Sequence, residues 1–228
     1  MKINNTPVSE QVEEMDKVYN VSRRRFFQLA GGVAGAGILL SACRKTGPST
    51  TYIGAGDVGL LNYFYILEQL EAQFYTQAVA TPYYGMDASE QQLLKDVRDH
   101  EIAHAEFLKG LLATNAVPTI VTNFSAVTFA DRTSVLSHAY AIEDLGISAY
   151  IGAAELFTDS SYAIELAKIA SVEARHSAYF RDILSYNSFA DSTVISSNGL
   201  DQSLTPSAVL AQAETYIKTT FDASKLPN

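Results

Sequence analysis

The sequence predicts an all-α protein: a four-helix bundle with a long crossover between its second and third helices, followed by a C-terminal fifth helix. Three observations lead there. Apolar residues recur at helical spacing through long segments between residues 57 and 187. Two of those segments carry Glu and His three residues apart, in Glu101-Ile-Ala-His104 and Glu173-Ala-Arg-His176. Each is preceded, 33 and 30 residues upstream, by a Glu followed seven residues later by a Tyr: Glu68 with Tyr75, and Glu143 with Tyr150. The chain reads as a duplicated helical pair.

Bulk properties set limits on this reading. The 228 residues allow one domain plus a leader or tail, and 47% hydrophobic content supports a real core. A formal net charge of −9 argues against nucleic-acid binding, which needs a basic face to displace counterions. Cys43 is the single cysteine, so a disulfide framework and Cys-based zinc or iron–sulfur sites are excluded. Any bound metal must be held by oxygen and imidazole nitrogen.

Residues 1–42 read as a leader. A polar stretch gives way to Ser22-Arg23-Arg24-Arg25-Phe26-Phe27 and a glycine-containing apolar run that ends Leu40-Ser41-Ala42-Cys43. This run is too short for a spanning helix. The stretch resembles a bacterial twin-arginine export signal joined to a lipobox. In that resemblance Arg23 and Arg24 are read by the twin-arginine export machinery. Cleavage before Cys43 then exposes its thiol to lipidation, anchoring the protein to a membrane in the periplasm or envelope. Residues 43–56 are polar with Gly and Pro, and read as a tether.

The helices follow in order over 57–187. Asp57 is placed to cap the first, which carries Glu68 and Glu71 and stops at Thr81-Pro82. The second begins near Asp87 to Ser89, where two capping-box spacings overlap, and runs to about Ala113. Residues 114–131 look irregular or extended, and about 18 extended residues at about 3.3 Å each easily cross the length of a bundle. Helix three covers about 132–157, and helix four follows the Asp159-Ser160-Ser161 turn to about Tyr186. In the remaining segment, 188–228, a polar loop leads to Thr205-Pro206, which restarts an amphipathic fifth helix over about 206–221.

The four paired acids all share apolar stripes. Glu68 lies with Leu61, Phe64 and Tyr75, and Glu143 with Leu136, Ala139 and Tyr150. Glu101 lies with Leu94, Val97 and Leu108, and Glu173 with Leu166, Ile169 and Phe180. Ionised carboxylates buried at a bundle axis without partners would each cost several kcal/mol. Two divalent cations would offset four carboxylates, and two neutral imidazoles would complete the shells. Oxygen ligands with imidazole suit iron or manganese, with zinc also open. Glu71 lies one turn from Glu68 and competes with it as ligand. The repeat favours Glu68, because Gly146 stands at the position equivalent to Glu71. His100 and His138 match nothing in the repeat and read as surface or outer-shell residues. Tyr75 and Tyr150 read as core, with a place near the metals open to them.

The phrase Leu67-Glu68-Gln-Leu70-Glu71-Ala-Gln-Phe74-Tyr75, with the two Glu-x-x-His helices, resembles the ferritin-like superfamily. Within it the chain is similar to a bacterial ferritin-like domain family related to plant desiccation-related proteins. The resemblance implies Glu68, Glu101, His104, Glu143, Glu173 and His176 as ligands of two metal ions, iron before manganese. It also implies redox chemistry with Fe(II), O₂ or peroxide, as a ferroxidase, peroxidase or manganese catalase-like enzyme. A peroxidase with its own rubredoxin-type iron is disfavoured, since no Cys quartet is present. The other reading is a non-catalytic metal-binding or stress-protective envelope protein. Homo-oligomers are compatible with either.

Overall fold

Four helices of 22 to 25 residues carry the fold of the described residues. They are α1 (Gly56–Ala80), α2 (Ala88–Leu112), α3 (Arg132–Ala153) and α4 (Ser160–Leu184), with a short α5 (Pro206–Ala213) near the C-terminal end. A computed structural model describes residues 50–228. Arg23, Arg24 and Cys43, and with them the export and lipid-anchor expectations, lie outside the described residues. The fold is the expected all-α bundle with a crossover between α2 and α3 and an added C-terminal helix. Among the described residues no helix is long and apolar enough to cross a membrane.

Capping residues mark where three of the long helices start. Asp87 accepts from Glu90 N at 2.8 Å, Asp131 from Ser134 N at 2.7 Å, and Asp159 from Ser161 N at 2.9 Å. Thr205 does the same for α5, with Pro206 in the first turn. Helix α1 departs from the expected cap. Ala55 precedes it without a side-chain bond, and Asp57 falls inside the first turn. Gly54 and Gly56, at φ 102° and 54°, swing the chain into the helix two residues early. Asp57 instead accepts from Thr158 N and Asp159 N at 2.8 and 2.9 Å, fastening α1 to the α3–α4 turn.

Helix α1 packs chiefly on α2 and α3 chiefly on α4, and the two hairpins also meet through α1 and α3. Residues on every side of α1 are buried, because the crossover covers the face that a plain bundle would leave wet. Three amide side chains hold that cover in place. Asn62 Oδ1 accepts from Val117 N at 2.9 Å, and Gln69 Oε1 accepts from Ile120 N at 3.1 Å. Gln73 Oε1 accepts from the Thr122 hydroxyl at 3.0 Å. Val117, Ile120, Val127 and Phe129 of the crossover are buried against the core.

Both ends of the described chain join this layer. Thr51–Tyr52 (β1) pairs in parallel with Phe221–Asp222 (β2), and Ile53 behind it is fully buried. Residues 51–56, tether-like in composition, are therefore part of the folded unit. The fifth helix is shorter than its apolar spacing suggests and ends at Ala213. Beyond it the backbone bonds to the crossover instead, through Asn123 N to Tyr216 O at 2.6 Å and Lys218 N to Val121 O at 2.7 Å. Helix α3 likewise ends at Ala153, and residues Ala154–Leu156 tighten into a 3-10 turn.

Candidate metal centre

Each of α1 to α4 sends a carboxylate into the middle of the bundle, and Glu68, Glu101, Glu143 and Glu173 are all wholly inaccessible to solvent. Helix periodicity puts His104 and His176 one turn beyond Glu101 and Glu173 on the same faces. Two clusters result, one of Glu68, Glu101, His104 and Glu173, the other of Glu101, Glu143, Glu173 and His176. Within each, one donor atom per residue lies within 4.8 Å of all the others. Glu101 and Glu173 belong to both.

The geometry has an approximate twofold character. His104 Nδ1 is 3.3 Å from Glu68 Oε2, 3.1 Å from Glu101 Oε2 and 2.9 Å from Glu173 Oε1. His176 Nδ1 is 3.4 Å from Glu143 Oε2, 2.9 Å from Glu101 Oε1 and 4.0 Å from Glu173 Oε2. Each shared carboxylate thus offers one oxygen to each imidazole. Each unshared carboxylate has its other oxygen held by a tyrosine from the opposite half. Tyr75 on α1 donates to Glu143 Oε1 at 2.5 Å, and Tyr150 on α3 donates to Glu68 Oε1. Tyr75 stacks on Phe180 and Tyr150 on Phe64, so the holding hydroxyls are themselves fixed by packing.

His104 Nδ1 and Glu101 Oε2 form a hydrogen bond at 3.1 Å, but most of the other donor atoms are unpaired. Glu68 Oε2, Glu101 Oε1, Glu143 Oε2, both oxygens of Glu173 and His176 Nδ1 are buried without a hydrogen-bond partner. Groups this buried are ordinarily satisfied, so an unpaired cluster points to a missing partner. The lone pairs converge on shared space, which is the demand a cation meets. The donor set, carboxylate oxygen with imidazole nitrogen, fits a hard divalent metal ion.

Electrostatics agree. Burial pushes Glu68 up to about 7 despite the neighbouring His104. Burial, reinforced by the other carboxylates, also pushes Glu71 and Glu173 well above the usual range, and Glu143 up as well. Glu101 is the exception: burial works against its charge, but contact with both imidazoles outweighs it and holds the carboxyl down at about 2. Burial disfavours a charged His176, yet Glu101 and Glu143 raise it to about 10, and His104 is raised further by Glu101, Glu173 and Glu68. Without a cation, these acids share protons and lean on imidazolium.

Glu71 is buried too, but its place is different. It belongs to neither cluster. Its Oε1 lies 2.7 Å from where a Cβ on Gly146 would stand, so Gly146 leaves the room that the fifth carboxylate fills. The position in one half that lacks a carboxylate is the position that admits the other half's extra one.

Two contacts beside the site were not legible in the sequence. His100, an exposed residue on α2, meets His176 edge to edge, the two rings nearly parallel and its Nδ1 2.9 Å from His176 Nε2. The sequence reading left it as a surface or outer-shell residue, and the contact places it in the outer shell. Asp144, next to Glu143, accepts from the Ser177 hydroxyl and from Arg181 Nε at 3.0 Å, clamping α3 to α4 beside the site. His138 lies elsewhere and contacts the Tyr216 hydroxyl through Nδ1 at 2.7 Å.

Comparison with known proteins yields one family match. A family model described as ferritin-like domain matches residues 56–186. No curated protein matches the chain.

Proposed function

Since this chain belongs to the ferritin-like domain family, we propose that the six-residue centre binds two divalent metal ions, iron in preference to manganese, and carries out redox chemistry with Fe(II), O₂ or peroxide. The observation behind this reading is the pair of clusters that share Glu101 and Glu173, with six buried donor atoms left unpaired. Glu68 and His104 would serve one metal, Glu143 and His176 the other, and Glu101 and Glu173 would bridge them. A carboxylate-bridged metal pair supplies two electrons and open positions for O₂ or peroxide.

The chain's own residues contribute orientation, charge and dryness. The tyrosine hydroxyls engage Oε1 of Glu68 and Glu143, which leaves Oε2 of each turned to the imidazole side. Four carboxylates give the site a charge that two divalent cations offset. The surrounding Phe64, Phe180 and Leu residues keep bulk water away, which strengthens each electrostatic contact. On the leader motif, we read the protein as exported by the twin-arginine route and tethered to a membrane through a lipid on Cys43. Export of an already folded protein suits a metal chosen before it leaves the cytoplasm.

Anaerobic loading with Fe(II), followed by air or peroxide, tests the reading. Uptake of two equivalents and rapid growth of an oxo-bridged di-iron absorption band are expected. Stoichiometric uptake with no reaction would favour a non-catalytic metal-binding or stress-protective role. Protein that takes up no metal, with Glu173→Ala and His176→Ala as stable as the parent, would remove the metal centre altogether.

A further inference from the structure

The duplication that builds the centre is broken at its outer edge. Aligning Glu101 with Glu173 and His104 with His176 puts His100 opposite Val172, which has no polar side chain. His100 reaches from α2 to the α4 imidazole, its ring nearly parallel to that of His176 at 8° and its Nδ1 2.9 Å from His176 Nε2. On its other side, His176 Nδ1 faces Glu101, Glu143 and Glu173 and has no hydrogen-bond partner. An imidazole that offers a lone pair to a metal through Nδ1 must carry its proton on Nε2. That proton needs an acceptor, and His100 Nδ1 stands where the acceptor must be. His100 then carries its own proton on Nε2.

We propose that His100 is a positioning residue that fixes the metal-binding tautomer and ring angle of His176, and so makes the two metal positions unequal in affinity. This rests on the dinuclear reading given above. Groups that hold a ligating histidine from outside usually change metal affinity about 10–100-fold when removed. Such a device fits only one half of this bundle, so its loss should be felt by one metal.

The test is a calorimetric titration of Co(II) into the metal-free full-length protein, with the visible absorption of bound Co(II) recorded alongside. The parent should bind two equivalents. His100→Phe keeps a flat ring and removes the acceptor. It should weaken one equivalent by about 10–100-fold and alter only that equivalent's absorption band. His100→Gln restores an acceptor and should recover most of the lost affinity. Equal weakening of both equivalents, no weakening of either, or failure of Gln to recover what Phe loses would overturn the assignment while leaving the dinuclear centre intact. A parent that binds no Co(II) overturns the centre and this inference together.

Discussion

Tyr75 and Tyr150 show how a single hydroxyl shapes the site. Each donates across the bundle axis to the unshared carboxylate of the opposite half. A hydrogen bond to a charged group contributes about 1.5–3 kcal/mol, and its loss here leaves a buried carboxylate oxygen unpaired. Tyr75→Phe and Tyr150→Phe should therefore each lower metal-free stability by about 1–3 kcal/mol and metal affinity by about 10–100-fold. Denaturant unfolding and calorimetric metal titration measure the two effects. Because the contacts mirror one another, the two variants should behave alike; a normal Tyr75→Phe beside a damaged Tyr150→Phe would contradict the twofold reading. At this scale much was legible in the sequence. A Glu and a Tyr seven residues apart sit on one helical face, and two copies of that spacing imply a shared role. That each tyrosine serves the other half's Glu was not legible, since periodicity places a residue on a face but says nothing of its partner. The same limit hid the partner of His100, which lies 76 residues away in sequence.

The helices were readable from spacing and caps, but what covers them was not. Asn62, Gln69 and Gln73 stand on one side of α1 and look like ordinary exposed amides. In fact Asn62 and Gln69 bond buried backbone groups of the crossover, and Gln73 holds its Thr122 hydroxyl. Only the partner strand gives them meaning, and an irregular segment carries no period to reveal where it lies. The C-terminal segment hides its course for the same reason, trading helix for backbone bonds to the crossover after Ala213. One glycine marks how closely these outer segments approach the bundle. A Cβ on Gly152 of α3 would lie 1.9 Å from the Leu204 carbonyl oxygen, and Leu204 N donates to Ser148 O at 3.1 Å. Backbone, unlike a side-chain tip, has nowhere to swing. Gly152→Ala should lose about 1–3 kcal/mol through overpacking, outweighing a gain of about 1 kcal/mol in helix propensity. Gly110→Ala in α2, where a Cβ would meet nothing within 4 Å, should instead be neutral or stabilising by up to about 1 kcal/mol. Thermal melts of the two variants against the parent decide it, and a Gly152→Ala protein as stable as Gly110→Ala would mean the outer loop does not rest on α3.

At the scale of the whole molecule, the buried acids tie stability to pH, and through the proposed centre to metal. In the metal-free protein, burial raises Glu68 to about 7 from 4.5 and pushes Glu71, Glu143 and Glu173 upward as well. His176, raised from 6.5 to about 10 by Glu101 and Glu143 against the effect of burial, and His104, raised further, also keep protons that the unfolded chain releases. For all six the folded state binds more protons, so stability falls as pH rises. The window opens near the unfolded carboxylate value of 4.5, passes 7 for Glu68 and extends to about 10 for His176. Glu101 has the opposite sign: held at about 2, it withdraws stability only as pH falls from 4.5 towards 2. Metal-free protein should therefore be most stable near pH 5 and weaker at pH 8, each retained proton tilting the balance by about 1.4 kcal/mol per pH unit. Cations bound at the proposed centre would reverse the trend. They compete with protons for the same oxygens and nitrogens, so the stability they contribute grows with pH. Urea midpoints at pH 5 and pH 8, in a chelator and in saturating Mn(II), give the four values that matter. The midpoint should drop from pH 5 to pH 8 in the chelator, and the gap between loaded and metal-free protein should widen. If the metal-free midpoint rises across that interval, the carboxylates are not packed together in a dry core, and the charge argument for a dinuclear centre loses its basis.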